Sequence, residues 1–109
     1  MSDIQDKIRK GEIHYAEYVK VALDKIEEKN KEINAFVSVD RDVLNKLGGI
    51  EENLLNNKER SLEGLIFGIK DNILVKGMKA TAGSKMLKDY EAVYDATVVK
   101  KIKENGGLI

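Results

Sequence analysis

The sequence predicts an α/β fold, a mixed and largely parallel sheet flanked by helices. The first observation is a continuous apolar run at residues 65–69, which follows Gly64 and precedes the turn-forming pair Asp71-Asn72. An apolar run without alternation is typical of a strand that is buried on both faces, as in a parallel sheet. The second observation is the helical spacing of apolar residues before and after this run. Helices that alternate with buried strands build α/β domains.

Composition and charge indicate one modest domain with an ordinary surface. The chain has 109 residues, 42% of them hydrophobic and 35% charged, and its 19 basic and 19 acidic residues leave no net charge. Nothing in this balance favours a nucleic acid or an anionic membrane as a partner. The chain has no cysteine and one histidine, His14, so we expect no disulfide framework, thiol nucleophile or metal site. No apolar segment reaches the roughly 18 residues of a membrane span, and we expect a cytoplasmic protein.

Two helices are predicted at the amino terminus. Ser2 and Gln5 have the spacing of a capping box, which predicts a first helix over residues 3–10. A longer helix is predicted over residues 15–29. Its cap is expected to be weak, because His14 stands where serine or threonine is preferred. The apolar stripe of this helix is more typical of core packing than of a recognition surface and consists of Tyr15, Ala16, Val19, Ala22, Leu23 and Ile26.

A first strand and a third helix are predicted next. Residues 34–39 are rich in β-branched and aromatic side chains and predict the strand. Asp40 or Asp42 is then placed to cap a helix. The pair Gly48-Gly49 falls in its middle and predicts a kink or a break, since each glycine costs about 1 kcal/mol relative to alanine. The apolar positions of this helix are Val43, Leu47, Ile50 and Leu54.

Short elements are predicted beyond residue 70. Residues 73–75 read as an extended segment that is closed by a turn at Lys76-Gly77. Ser84 is expected to cap a brief helical turn. Ser84 could also be considered as a nucleophile. No Ser-x-x-Lys pattern occurs in the chain, which disfavours the penicillin-binding type of site.

A last helix and the start of another strand are predicted at the carboxyl end. Asp95 is a suitable N-cap for this helix, and Gly106-Gly107 would stop it. Its predicted buried residues are Val98, Val99 and Ile102. The two apolar residues at 108–109 then resemble the start of a parallel strand more than a carboxyl terminus.

Lys70 is the candidate functional residue that the residue pattern indicates. It lies at the carboxyl end of the central apolar run, and ligands of open α/β sheets bind at that end of the strands. Partial desolvation there would make the neutral, basic amine easier to reach. The alternative is a lysine that extends to water from a strand end.

Five segments carry a resemblance to a known family. In chain order they are Ile33-Asn34-Ala35-Phe36-Val37, Gly68-Ile69-Lys70-Asp71-Asn72-Ile73, Val75-Lys76-Gly77, Thr81-Ala82-Gly83-Ser84-Lys85 and Tyr94-Asp95-Ala96-Thr97-Val98-Val99. In this order and spacing they resemble the amidase signature family, most closely the A subunits of glutamyl-tRNA(Gln)/aspartyl-tRNA(Asn) amidotransferases. The family pattern usually has proline where Ile66 and Ala92-Val93 stand. These departures affect turn rigidity rather than chemistry.

The resemblance implies a fold, a site and a set of partners. Residues 1–109 would be the amino-terminal portion of an amidase domain, with residues 1–33 as a helical lead-in and residues 34–109 as the start of the α/β core. Lys70 would be the lysine of a triad with a nucleophilic serine and a second serine that has a cis peptide bond. Both serines would lie in a later glycine- and serine-rich stretch, and none of this chain's serines stands in a matching motif. The fragment by itself is therefore expected to be inactive.

The implied reaction hydrolyses glutamine and releases ammonia. The amidotransferase B and C subunits would be the partners. The B subunit would use the ammonia, with ATP and Mg²⁺, to amidate Glu-tRNA(Gln) or Asp-tRNA(Asn), and the C subunit would bridge the other two. The resemblance implies no cofactor on this chain and contact with tRNA mainly through the B subunit. Two alternatives remain open at this point: a fragment of another amidase signature hydrolase, or a non-catalytic remnant that acts only by docking to a partner.

Overall fold

The computed structural model describes residues 3–109 and places four α-helices in them. The helices are α1 (Asp3–Arg9), α2 (Tyr15–Ile33), α3 (Ile50–Leu55) and α4 (Thr97–Glu104). Both predicted amino-terminal helices are confirmed, and α2 extends beyond its predicted end. Its C-cap, Asn34, has the left-handed conformation that terminates many helices, with φ +49°. The predicted cap Ser2 lies outside the described residues.

The predicted third helix is divided where the glycine pair falls. Its first part is a 3₁₀ helix, Arg41–Lys46, and the Asp40 side chain accepts a hydrogen bond from the backbone N–H of Asp42, as a cap does. The second part is α3, which begins after Gly49 at φ +80°. Because a side chain is strained at that φ, Gly49 allows the chain to change direction between the two parts. The predicted break and the Asp40 cap are both confirmed.

The predicted sheet is not confirmed. Within residues 3–109, strand pairing consists of a parallel bridge between Ile66 and Leu108 and an antiparallel bridge between Lys79 and Glu91. Residues 34–39 and 73–75 form no regular strand. The prediction that residues 65–69 are buried on both faces is wrong for this structure, because all five are half-buried or exposed. A buried strand needs neighbouring strands on both edges. Within the described residues, the central run has only one short neighbouring segment, at Leu108.

The central run does pair with the carboxyl end of the chain, as a parallel strand would. The Phe67 N–H donates to the Leu108 carbonyl at 2.8 Å, and the Leu108 N–H donates to the Leu65 carbonyl at 2.9 Å. A Cβ atom on Gly107 would lie 2.5 Å from Cγ2 of Ile102 and 2.7 Å from the Phe67 ring. Glycine therefore permits α4 to approach the central run closely.

The core lies between α1, α2 and α3. Buried apolar side chains from these helices and the 3₁₀ segment form one cluster, which consists of Ile8, Tyr15, Val19, Val43, Ile50 and Leu54. Of the predicted α2 stripe, Ala16 is exposed, whereas Leu23 and Ile26 are half-buried. The Glu63 side chain is 1% exposed beside this cluster. Its Oε1 accepts hydrogen bonds from Asn53 Nδ2 and Arg60 Nη2, each at 3.0 Å.

The predicted cap of α4 is wrong. The N-cap is Ala96, which has no side chain to cap the helix. The Asp95 carboxylate instead accepts the Lys76 N–H and the Lys103 ammonium, each at 2.8 Å. Val98 is also 51% exposed rather than buried, whereas Val99 is fully buried. The Lys103 ammonium, which lies on α4, thus holds the Asp95 carboxylate away from the capping position. Asp95 thereby joins α4 to the turn at Lys76.

Candidate functional site

The candidate site is a cavity of about 380 Å³ on one side of the central run. α2 forms one wall, residues 35–40 form another, and residues 66–71 form the third. Most of the lining side chains are apolar and include Val19, Leu23, Ile26, Phe36, Ile66 and Leu108. An apolar cavity with a few polar groups at its edge is the usual form of a small-molecule or catalytic site.

Lys70 lies at the edge of this cavity, at the end of the central run. Its side chain is exposed, so the predicted partial desolvation is wrong for the described structure. Within residues 3–109 its ammonium has no hydrogen-bond or ion-pair partner. The predicted turn after Lys70 is confirmed at Asp71-Asn72, and the Ile73 N–H donates to the Lys70 carbonyl at 2.9 Å. The structure therefore presents an unpartnered lysine side chain on a short, closed turn.

The Asp71 carboxylate connects this turn to the loop at residues 81–84. The Thr81 N–H donates to Asp71 Oδ1 at 3.0 Å, and the Thr81 hydroxyl donates to Asp71 Oδ2. The Asp71 carbonyl in turn accepts the Ala82 N–H at 3.2 Å. The hydrogen bond from the Thr81 hydroxyl, followed by that from the Thr81 N–H, lowers the pKa of Asp71 below its ordinary value. Asp71 is thus an ionised acceptor that joins two loops.

The loop at residues 81–84 has an unusual backbone. Ala82 and Gly83 both have positive φ, +49° and +70°, and a positive φ is strained for alanine. The Gly83 N–H donates to the Thr81 hydroxyl oxygen at 3.2 Å. The Ser84 hydroxyl accepts the Met86 N–H at 3.2 Å and caps the 3₁₀ turn Lys85–Leu87. The predicted capping role of Ser84 is confirmed.

The serines of the described structure do not complete a catalytic group around Lys70. Ser38 lines the same cavity, but no hydrogen bond joins it to Lys70 within residues 3–109. The Ser61 hydroxyl donates to Asn105 Oδ1 at 3.0 Å, away from the cavity. The chemistry available here is therefore that of an accessible amine, which can accept or donate a proton if a hydroxyl group is brought to it.

The sequence does not indicate the contact between Thr81 and Asp71. It predicts Asp71 as a turn former and places Thr81 in a motif of small residues. The available signal was a carboxylate next to the candidate lysine together with a hydroxyl in a loop of small residues. Sequence could not show that the two meet, because ten residues separate them and no periodic element joins them.

Neither a metal site nor a membrane span is found in the part of the chain that the structure describes. Residues 3–109 contain no group of three or more potential metal ligands among histidine, aspartate and glutamate. None of the helices in this range combines the length and the apolar character needed to cross a membrane.

Comparison with known proteins gives one consistent family. The family model described as Amidase matches residues 17–109. The chain is 38% identical over 109 residues to the A subunit of the glutamyl-tRNA(Gln) amidotransferase of Sulfurisphaera tokodaii, with 100% of this chain and 22% of that protein covered. It is 35% identical over 108 residues to the protein of the same name from Salinibacter ruber, with 98% of this chain and 21% of that protein covered. The chain thus spans about a fifth of the length of these relatives.

A solved structure has a similar fold. It is the structure of a vestigial protein complex that reveals the evolutionary origins of an s-triazine catabolic enzyme. The superposition has a TM-score of 0.84 and 23% sequence identity, and it covers 97% of this chain and 24% of the other. At that identity the similarity concerns the fold only.

Proposed function

This chain belongs to the amidase family, and from that premise we propose that it is the amino-terminal portion of an amidotransferase A subunit. In the proposed reaction the complete protein hydrolyses glutamine and supplies ammonia for the conversion of Glu-tRNA(Gln) to Gln-tRNA(Gln), or of Asp-tRNA(Asn) to Asn-tRNA(Asn). The observation that carries the proposal is the unpartnered Lys70 ammonium at the edge of an apolar cavity. The match to A subunits along nearly the whole chain supports this choice within the family.

The proposed role of Lys70 is that of a general base. A neutral amine can accept the proton of a serine hydroxyl, directly or through a second serine, and so activate a weak nucleophile. The activated serine would attack the side-chain amide of glutamine and form an acyl-enzyme, and ammonia would leave. Backbone N–H groups near the nucleophile would stabilise the oxyanion. Both serines would come from sequence other than residues 1–109.

The proposed partners follow from the same assignment. The B subunit would bind ATP and Mg²⁺ and make most of the contact with tRNA, and the C subunit would bridge the other two. This chain would bind no cofactor, and the complex would be cytoplasmic. The division into a helical lead-in at residues 1–33 and the start of the catalytic core at residues 34–109 also stays a prediction.

The isolated chain of 109 residues should release no ammonia from glutamine. Lys70 cannot form an acyl-enzyme without a nucleophile, and none of the described serines is hydrogen-bonded to Lys70. The measurement is ammonia release by the pure chain beside a Lys70→Ala control. Ammonia release above that control would contradict the proposed division of the triad.

The test of function uses the assembled enzyme: this chain, the polypeptide that completes the A subunit, and the B and C subunits. We expect Lys70→Ala to abolish glutamine hydrolysis. Lys70→Arg should be nearly as damaging, because guanidinium keeps the charge but stays protonated and cannot act as a base. Transamidation should survive with ammonium as the nitrogen donor, since the ATP-dependent step is assigned to the B subunit.

Lys79→Arg is the matched control. Lys79 lines the same cavity and lies 3.6 Å from Asp89, an ion pair that arginine can keep. Normal glutamine-dependent activity of the Lys70→Arg enzyme would refute Lys70 as the base. Hydrolysis of amides other than glutamine, without transamidation, would favour a different amidase. Lack of any activity in the assembled, unsubstituted enzyme would favour a non-catalytic remnant.

A further inference from the structure

Within residues 3–109, no hydrogen bond or ion pair fixes the position of the Lys70 side chain. It is exposed, and its ammonium is unpartnered within residues 3–109. A proton acceptor must lie within hydrogen-bond distance of its donor. The location of the amine therefore depends on the backbone of the turn that carries it. That turn is closed by one backbone hydrogen bond, from the Ile73 N–H to the Lys70 carbonyl.

Thr81 provides the additional restraint. It donates to the Asp71 carboxylate twice, through its N–H to Oδ1 and through its hydroxyl to Oδ2. Its hydroxyl also accepts the Gly83 N–H at 3.2 Å, so the orientation of the hydroxyl oxygen is set from both sides. Hydrogen bonds to an ionised acceptor are stronger than those between neutral groups. Asp71, the residue that follows Lys70, is thus held by two charge-assisted hydrogen bonds.

Thr81 can restrain the position of Asp71 because Thr81 is itself anchored in the fold. Thr81 is 8% exposed, and the preceding Ala80 is 4% exposed. The Ala80 N–H donates to the Tyr90 carbonyl at 3.2 Å, next to the bridge between Lys79 and Glu91. The turn that carries Lys70 is therefore attached to a buried and paired part of the fold.

We propose that Thr81 is a positioning residue for Lys70 and acts through the carboxylate of Asp71. Thr81 would not touch the substrate or the reacting atoms. It would hold Asp71, and with it the turn from Lys70 to Ile73. The Lys70 amine would then lie within hydrogen-bond distance of the serine hydroxyl whose proton it accepts. The proposal rests on the function proposed above for Lys70, but its first step, the restraint of the turn, can be tested independently of that function.

The first experiment measures amide hydrogen exchange in the full chain. Thr81→Val removes the hydroxyl and nearly keeps the shape, Thr81→Ser keeps the hydroxyl, and Thr97→Val makes the same change at an exposed position. We expect Thr81→Val to speed exchange of the Ile73 amide about tenfold or more, as the loss of a hydrogen bond to a charged group predicts. Exchange in α2 should not change, and Thr81→Ser should restore protection at Ile73.

Two results of this experiment would overturn the proposal. One is an Ile73 amide that exchanges equally fast with and without the Thr81 hydroxyl. The other is an unsubstituted chain with no protection at the Thr81 and Ile73 amides, because the restraint would then be absent in solution. Slower exchange in Thr81→Ser than in Thr81→Val would support a role for the hydroxyl rather than for side-chain volume.

The second experiment measures kinetics in the assembled enzyme. A positioning role predicts that Thr81→Val lowers kcat for glutamine hydrolysis about tenfold or more, leaves KM for glutamine nearly unchanged, and spares transamidation with ammonium. Thr81→Ser should recover most of the rate. Equal losses with glutamine and ammonium would indicate a merely structural role and overturn the proposal. Full activity of Lys70→Ala would refute the proposed function instead, while the exchange data would still decide the restraint.

Discussion

The Glu51 carboxylate of α3 accepts the backbone N–H of Tyr15, the first residue of α2, at 3.1 Å. Its other oxygen lies 2.9 Å from Nδ1 of His14, the N-cap residue of α2. The side chain of His14 makes no capping bond itself, as its sequence predicts. A residue 36 positions away therefore satisfies one of the exposed N–H groups at the start of α2. It also joins α2 to α3 beside the core.

Removing the Glu51 carboxylate should destabilise the chain. The loss of a helix-capping acceptor costs about 1 kcal/mol, and Glu51→Ala also disconnects α2 from α3. The measurement is the free energy of unfolding from urea titration. Glu52→Ala is the control, because Glu52 is the exposed neighbour in the same first turn of α3. Equal effects of the two substitutions would contradict a specific role for Glu51 as a cap.

The His14–Glu51 pair should make stability depend weakly on pH. The hydrogen bond to Glu51 and the charge of Glu51 raise the pKa of His14 above its ordinary value of 6.5. A raised folded-state pKa contributes stability that is fully present below the unfolded-state pKa and is lost as pH rises through the folded-state pKa. The urea midpoint should therefore fall slightly as pH rises through and above the ordinary histidine range.

The corresponding measurement is a proton NMR titration of the imidazole. His14 is the single histidine of the chain, so its signals need no further assignment. Glu51→Gln should bring the pKa of His14 down toward its ordinary value and flatten the pH dependence of the urea midpoint. A pKa that does not change in Glu51→Gln would contradict the pairing in solution.

Replacing Ala82 with glycine should stabilise the chain. Ala82 has φ +49°, and a left-handed conformation costs a residue other than glycine about 1–2 kcal/mol. Glycine loses more entropy on folding, a cost of about 0.4–1 kcal/mol. The difference predicts a net gain of about 0.5–1 kcal/mol in the free energy of unfolding. Gly83→Ala, at φ +70° with open space for a Cβ atom, should have the opposite effect. A loss of stability in Ala82→Gly would contradict the strain.

Removing the Tyr15 hydroxyl should stabilise the fold. Tyr15 is 1% exposed, and its hydroxyl has no hydrogen-bond partner within residues 3–109. A buried unsatisfied polar group costs about 1–3 kcal/mol, so Tyr15→Phe should raise the urea midpoint. Tyr18→Phe is the control, since the Tyr18 ring lies 6.2 Å from the Tyr15 ring and is only half-buried. A clear destabilisation by Tyr15→Phe would reveal a hydroxyl partner.

The open edge of the central run should make the isolated chain poorly stable and prone to self-association. The Phe67 N–H donates to the Leu108 carbonyl, but the backbone groups of Ile66 and Gly68, which point to the other edge, make no hydrogen bond within the described residues. Unpaired strand edges beside exposed apolar side chains such as Phe36 and Val37 invite pairing between copies. Sedimentation velocity at several concentrations measures this. Gly68→Pro, which removes an edge N–H, should weaken association. A chain that stays monomeric at every concentration would contradict the prediction.

The sequence was sufficient to predict those elements whose structure depends on residues that are close to one another in the chain. Apolar spacing along α1 and α2 predicted both helices, because a helix buries one face whatever it packs against. The pair Gly48-Gly49 predicted the break, since a positive φ at Gly49 is a backbone property of that residue. The capping role of Ser84 was also predictable, because its hydrogen bond from the Met86 N–H spans only two residues. The place of Lys70 after an apolar run left open a lysine that extends to water, and its catalytic role stays a prediction.

Only the tertiary structure decided which distant groups meet. Asp95 has the sequence of an N-cap but binds Lys76 and Lys103, because a carboxylate takes the strongest donors that the fold brings to it. The Glu51 cap and the Asp71–Thr81 pair join elements that no sequence period relates. The run at residues 65–69 has the composition of a buried strand, yet it is half-exposed in this structure. Burial on both faces is a property of the neighbours that cover a strand, and residues 3–109 place only a short neighbour beside it.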